Sequence, residues 1–164
     1  MRTLLAVALL MQVGVSQAQP PAPAPAPADS RVEALRSRAV ALQPEQVVDD
    51  FHQNLAAGWR EGALLHLVPD LLLFEQGYVE RSREAYANGQ LSSDMVFAAA
   101  TRREILQRDS GNQLGRAWVT TQARVSGQVG PQAIDLRSTE TMLLRHIEGR
   151  WQITHIHWSA HSGE

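Results

Sequence analysis

The second half of the chain constrains the fold most, because it consists of long segments that predict β-strands joined by short turns. These segments cover residues 99–109, 116–129, 133–147 and 150–160. The connections "SGNQLG", "GPQ" and "EGR" are short and contain glycine, which is typical of antiparallel hairpins. An antiparallel sheet needs a second layer to bury its apolar face. We therefore expect the first half of the chain to supply that layer.

Helical periodicity dominates the residues before these strands. The predicted elements are helices over 29–42, 44–58, 60–68 and from 79 to about 89, and a strand over 71–77. The second helix is the clearest, since Pro44 suits a first helical turn and Gly58 provides a stop. Helices followed by antiparallel strands predict an α+β fold, with the helices on one side of a curved sheet.

The first eighteen residues predict a cleavable export signal. Arg2 supplies a positive start, "LLAVALLMQVGV" is an uncharged apolar run, and "SQA" offers small residues for cleavage after Ala18. The apolar run is shorter than the roughly 20 residues of a membrane-spanning helix, although an uncleaved anchor stays open as the alternative. We expect a periplasmic or secreted protein with no stable membrane insertion after cleavage.

The remaining chain is expected to form one domain behind a spacer. Residues 19–29 alternate Pro and Ala, which favours an extended spacer without core-forming side chains. The domain then covers 30–164, with its core at about 44–159. The chain contains no Cys, so packing alone must stabilise the fold. A formal net charge of −2 argues against a nucleic-acid partner, which would require clustered positive charge.

Two longer motifs carry a resemblance to a known family. They are "LVPDLLLFEQGYVERSREAY" and the ending "STETMLLRHIEGRWQITHIHWS", and the order helix–helix–strand–helix–strands links them. In these features the chain resembles the SnoaL-like and ketosteroid-isomerase-like branch of the nuclear transport factor 2-like superfamily, and in particular its exported members. The resemblance implies a cone, in which a strongly curved antiparallel sheet wraps around the N-terminal helices. It also implies a pocket at the open end and often a homodimer through the outer face of the sheet.

Function does not follow from this resemblance, because the fold hosts isomerases, cyclases, dehydratases, hydrolases and proteins that only bind. The isomerase subgroup uses an Asp base with a Tyr and a protonated Asp as oxyanion donors. The only tyrosines of this chain are Tyr78 and Tyr86, and neither matches that donor. Steroid isomerisation is therefore not carried over.

The last strand supplies the first candidate site residues. Strict alternation places Trp151, Ile153, His155 and His157 on one face. If that face lines the cone, Trp151 and Ile153 close its narrow end and the imidazoles point into its mouth. The alternative is a pair of hydrogen-bonded histidines at the end of a sheet.

Glu140 is the second candidate, because it lies on an otherwise apolar strand face. That face contains Ile134, Leu136, Met142 and Leu144. A carboxyl in such surroundings finds a cationic or hydrogen-bonding partner or stays protonated. Its pairing across the "EGR" turn would bring it near the histidines, although a register shift of one residue would expose it.

Glu75 and Tyr86 complete the set. Glu75 ends the apolar strand "LLLFE" beside a Gly turn, where a carboxylate is either functional or simply solvated. Tyr86 is expected to share a helix face with Glu80 and Arg83, which form a surface ion pair or clamp a ligand.

Two functions stay open. The first is a binding module for a small apolar or amphipathic molecule, and its candidate ligand-binding residues are His155, His157, Trp151, Glu140 and Tyr86. The second is a cofactor-independent lyase or isomerase, in which Glu140, Glu75 or His157 moves a proton. We place the binding module first, because the sequence shows no clear acid–base pair.

Neither function requires a cofactor, and we expect the protein to lack stoichiometric metal. His155, His157 and either Glu140 or Glu75 could form a three-ligand site with an open position. Nothing in the sequence fixes the third ligand, however, and two imidazoles fall short of the usual ligand number.

Overall fold

The computed structural model describes residues 27–162, and it has an α+β fold. The predicted export signal and residues 19–26 of the predicted spacer lie outside the described residues. The helices and strands are α1 (Ala28–Ala39), α2 (Pro44–Ala56), α3 (Arg60–Leu65), β1 (Leu67–Glu75), β2 (Tyr78–Glu80), α4 (Arg83–Asn88), α5 (Leu91–Ala100), β3 (Thr101–Gln113), β4 (Arg116–Val129), β5 (Gln132–Ile147) and β6 (Arg150–Ser162). No helix within the described range is both long and apolar enough to cross a membrane.

A single curved sheet carries the fold, in the strand order β2-β1-β6-β5-β4-β3. Strands β3 to β6 pair as consecutive antiparallel hairpins, which confirms the predicted layout. Strand β1 pairs parallel with β6, so that the first and last strands of the described residues lie side by side. The helices cover one face, and the core lies between α2 and that face.

Helix α2 forms where the sequence predicts it and provides the centre of the core. Gln43 caps it, since the Gln46 side chain accepts a hydrogen bond from the Gln43 backbone N–H at 2.9 Å. Its apolar face is buried against the sheet and consists of Val47, Val48, Phe51 and Leu55. Burying one side chain of the size of Phe51 contributes roughly 1.5–3 kcal/mol. The buried face therefore fixes the position of α2 against the sheet, and with it the position of the other side chains of α2.

A polar cluster centred on the buried Asp50 attaches helix α1 to helix α2. Arg38 donates to Asp50 on α2, which also accepts a hydrogen bond from His66 Nε2 at 2.9 Å. His66 is 1% exposed, and Leu35 and Ala39 of α1 are buried as well. His66, which lies among Leu64, Leu65 and Leu67 in the sequence, is therefore a packing residue with a satisfied hydrogen bond.

Two helix predictions were wrong in their bounds. The helix predicted over 60–68 ends at Leu65, because the chain joins the sheet there: Ile153 N donates to His66 O at 2.8 Å. The helix predicted from residue 79 to about 89 begins later, since Tyr78–Glu80 pairs with β1 and α4 starts only after its cap, Ser82. Sheet hydrogen bonds override the helical pattern in both places.

Helix α5 was not predicted, and its last residues were expected to belong to a strand. The segment "LSSDMVFAAA" is helical to Ala100 and packs against α2. Its three consecutive alanines have the highest helix propensity of any residue type, which outweighs the apolar character that suggested a strand.

A β-bulge in β6 sets the orientation of the residues that follow it. Ile153 pairs with Leu144, but His155 already pairs with Leu143, so one extra residue lies between them. After the bulge the inner face carries Ile156 and Trp158. The strict alternation predicted for this strand was therefore wrong beyond Ile153.

Candidate functional site

A cavity of about 220 Å³ lies between the helices and the inner face of the sheet. Helices α2 and α5 form one side, and the end of β1 with strands β3 to β6 forms the other. Its apolar lining consists of Leu55, Ala56, Phe97, Ala98, Val125, Leu136 and Ala160. Its polar lining consists of His52, Glu75, Gln76, Asp94, Thr101, Arg103, Ser138, Glu140, Trp158 and Ser159.

Glu140 lies at the inner wall of this cavity and is 3% exposed, as the apolar pattern of β5 predicted. Three side chains from three other elements donate to it. Its Oε2 lies 2.6 Å from His52 Nε2 and 2.7 Å from Trp158 Nε1, and its Oε1 lies 3.0 Å from an Arg103 guanidinium nitrogen. The carboxyl thus has cationic and hydrogen-bonding partners.

The charge of Glu140 follows from these contacts. Burial on its own raises the pKa of this carboxyl, but the charges of His52 and Arg103 and the hydrogen bonds outweigh burial and bring the pKa to about 2. Glu140 is therefore ionised at neutral pH. Because its oxygens are already occupied by donors, it is a poor candidate for a catalytic base.

The surroundings of Glu75 shift its pKa in the opposite direction to that of Glu140. Glu75 ends β1 at the cavity, and its Oε2 is buried without a hydrogen-bond partner among the described residues. Burial, followed by the nearby charge of Asp94, raises the pKa of Glu75 from 4.5 to about 7. This carboxyl can therefore both accept and release a proton near neutral pH.

Asp94 is the neighbour that contributes to this shift. It extends from α5 into the cavity and accepts hydrogen bonds from Tyr86 Oη at 2.8 Å and from Gln90 Nε2 at 3.4 Å. Burial raises the pKa of Asp94, and the two hydrogen bonds only partly oppose that effect. Glu75 and Asp94 thus form a pair of carboxyls whose ionisation is unfavourable.

The two histidines predicted to line the pocket do not reach it. Because of the bulge, His155 and His157 lie on the outer face of the sheet, and His157 is exposed. His155 donates from Nδ1 to Leu72 O at 2.9 Å, and both rings pack edge-on against Phe74. The prediction that they point into the cavity was wrong, and the hydrogen-bonded alternative describes His155.

Trp151 and Tyr86 also lie outside the cavity lining. Trp151 is half-buried against the core and packs on the ring of His146 at 5.0 Å. Tyr86 is fully buried and reaches the cavity only through Asp94. Glu80 belongs to β2 and not to α4, so the predicted helix face shared by Glu80, Arg83 and Tyr86 was wrong.

The three-ligand metal site considered from the sequence cannot form. Its two imidazoles lie on the outer face of the sheet, whereas Glu140 and Glu75 lie at the cavity. Over residues 27–162, no three side chains of the His, Cys, Asp and Glu types come close enough to hold a metal ion.

The sequence interpretation missed His52, Arg103, Trp158 and Asp94. Two of them carry a signal, since His52 borders the apolar stripe of α2 and Asp94 is an isolated acid in an apolar segment. Whether Arg103 and Trp158 face the cavity depends on the strand registers, which the sequence does not fix.

Comparisons with known proteins agree with this architecture. The model of the family described as "SnoaL-like domain" matches residues 45–162. A candidate ketosteroid isomerase from Shewanella frigidimarina is 30% identical, with a TM-score of 0.69 over 73% of this chain and 97% of that one. A search of curated proteins finds no significant match.

More distant structures share the fold alone. A candidate calcium/calmodulin-dependent protein kinase II association domain from Xanthomonas campestris is 19% identical, with a TM-score of 0.61 over 70% of this chain and 82% of that one. A candidate scytalone dehydratase from Novosphingobium aromaticivorans is 14% identical, with a TM-score of 0.60 over 80% of this chain and 88% of that one.

Proposed function

This chain belongs to the SnoaL-like domain family, and we propose that it binds a small apolar or amphipathic molecule in its cavity. The observation that carries this proposal is the composition of the lining. Apolar side chains from α2, α5 and the sheet surround the space, and ionisable groups converge on it from separate elements. Ligand sites are typically apolar cavities with a few placed polar groups. At about 220 Å³ the cavity suits a molecule smaller than a drug-sized ligand.

Recovery of a bound molecule tests this proposal. The purified protein is incubated with periplasmic extract, desalted and denatured, and the released compounds are identified by mass spectrometry. Ser138→Phe serves as the matched control, because Ser138 lines the cavity and the larger ring should fill it. We expect a compound enriched with the unaltered protein and depleted in the variant. Repeatedly empty protein would contradict the proposal.

A second function, cofactor-independent isomerisation or elimination, is favoured by Glu75 specifically. A general base works best when its pKa lies near the working pH, and the pKa of Glu75 is about 7. Its unpartnered oxygen leaves it able to contact a substrate C–H group. Uptake of solvent deuterium at activated carbons, followed by NMR across a panel of small ketones and enones, would reveal such proton transfer.

We propose export on the pattern of residues 1–18. The protein would then act in the periplasm or outside the cell. The intact mass of the protein recovered from the periplasmic fraction measures this directly, since cleavage after Ala18 removes a defined segment. Recovery of the uncleaved chain in the cytoplasm would contradict it.

Self-association is proposed for the outer face of the sheet. Trp118 and Leu143 are neighbours there and are 43% and 42% exposed. Exposed apolar patches of this kind commonly form interfaces. We expect Trp118→Glu to convert a dimer into a monomer in sedimentation equilibrium, whereas Leu114→Glu at a hairpin tip should not. A monomeric unaltered protein would contradict this proposal.

A further inference from the structure

Of the three acids that line the cavity, only Glu140 forms ion pairs among the described residues. Glu140 is paired with Arg103 and His52, which commits those cations to its own oxygens. Glu75 and Asp94 also line the cavity, but no cationic side chain forms an ion pair with either of them among the described residues. In the described part of the chain the fold therefore compensates one buried acid with three donors, whereas Glu75 and Asp94 have no ion pair of their own and the charge of His52 acts on Asp94 only from a longer distance.

The two uncompensated acids differ in how their oxygens are occupied. Within residues 27–162, Asp94 accepts hydrogen bonds only from the neutral groups of Tyr86 and Gln90. Glu75 Oε2 is buried and has no protein donor in the described part of the chain. A buried carboxylate oxygen without a donor is costly, and proteins usually satisfy such atoms by a side chain, a water molecule or a ligand.

We propose that the ligand of this cavity is a small organic cation, an amine whose ammonium group binds between Glu75 and Asp94. An ammonium group offers three donors and a positive charge. It would therefore satisfy the unpartnered oxygen of Glu75 and compensate the charge of the two carboxylates. Charge-assisted hydrogen bonds of this kind are stronger than neutral ones. The inference rests on the proposed binding function and adds the chemical class of the ligand.

The remaining lining fits the rest of such a molecule. Phe97 and Ala98 follow Asp94 by about one turn of α5 and present apolar surface beside the proposed ammonium position. Leu55 and Ala56 of α2 also line the cavity. A carboxylate ligand would instead meet two further carboxyls, and a neutral ligand would supply no positive charge to favour their ionised forms.

Three probes that share one benzyl group separate these possibilities: benzylammonium, benzyl alcohol and phenylacetate. Their affinities are measured by NMR titration of the purified protein. At about pH 8, where the amine is charged and Glu75, whose pKa is about 7, is mostly ionised, we expect benzylammonium to bind about tenfold more tightly than either relative. Glu75→Gln and Asp94→Asn should each remove most of that preference, whereas Glu104→Gln on the exposed outer face should keep it.

The pH dependence of the unaltered protein gives a readout that needs no variant. A bound ammonium favours ionised Glu75, whose pKa in the free protein is about 7, so benzylammonium affinity should fall as pH drops through that value. The other titratable groups at the cavity are Asp94, His52, Arg103 and Glu140. Loss of the pH dependence in Glu75→Gln assigns it to Glu75 and not to these groups.

The outcomes distinguish this inference from the function on which it rests. Tighter binding of benzylammonium, lost in the two cavity variants, supports the amine. Equal or tighter binding of benzyl alcohol or phenylacetate overturns the amine but leaves small-molecule binding intact. If none of the three probes shifts the cavity resonances, the amine is overturned, and the recovery of a bound compound decides separately whether the binding function stands.

Discussion

Replacing Glu140 with glutamine is expected to lower the free energy of unfolding by about 3 kcal/mol at neutral pH. The change removes the charge that compensates His52 and Arg103, whose side chains are only 21% and 22% exposed. It also weakens the hydrogen bond from Trp158, which is stacked on Phe51 of the core. Removing one partner of a buried ion pair leaves the other charges uncompensated, and this is what makes the change costly.

The same carboxyl should give the protein a specific sensitivity to acid. The pKa of Glu140 is 4.5 ordinarily and about 2 in the fold, which corresponds to a stabilisation of about 3 kcal/mol. Because the folded pKa is the lower one, this stabilisation is fully present above about pH 4.5 and is lost as pH falls towards about 2.

Urea denaturation at several pH values checks both statements. The gap in stability between the unaltered protein and Glu140→Gln should be widest at neutral pH and should close in acid. Glu104→Gln is the matched control, since Glu104 is exposed on β3, next to Arg103. If Glu140→Gln is as stable as that control, the ion pairs contribute nothing and the structural role assigned to Glu140 is wrong.

Glu75→Gln is expected to lower the rate of any proton transfer that the protein catalyses by about 10²-fold or more. Glutamine keeps the shape of the side chain but cannot take up a proton from carbon. For the unaltered protein, the rate at low substrate concentration should rise with pH and level off above about 7, because the base must be ionised and the pKa of Glu75 is about 7.

Deuterium uptake into a responsive compound of the ketone and enone panel measures this rate. Glu61→Gln is a suitable control, because it removes the same charge from a residue that is exposed on α3 and does not line the cavity. An unchanged rate and pH profile in Glu75→Gln would exclude Glu75 as the base. It would not affect the binding function, which the recovery of a ligand tests separately.

The fold was largely predictable because its signals are local. The glycine-containing turns predicted the hairpins of β3 to β6, and the apolar stripe of α2 predicted the helix that covers them. The burial of Glu140 followed from the same alternation on β5. These features depend on residues that are close together in the sequence.

The composition of the cavity was less predictable because it depends on contacts over long sequence distances. His52 and Arg103 are 88 and 37 residues away from Glu140, and no local pattern assigns them to each other. The two histidines were assigned to the wrong face for a related reason. A bulge adds one residue without leaving a clear trace in the hydrophobic pattern of β6.

The bulge in β6 also has a consequence for chains of different length. Ile153 and His155 pair with the adjacent residues Leu144 and Leu143, so Thr154 is the residue without a counterpart on β5. A related chain that lacks this one position would keep Ile153, Ile156 and Trp158 on the same face as here. The loss of one position elsewhere in β6 would instead turn the following side chains to the opposite face of the strand. Side chains that now line the cavity would then lie at the surface, and surface side chains would point into the cavity. Thr154 thus marks where evolution can shorten this strand by one residue without rebuilding the cavity.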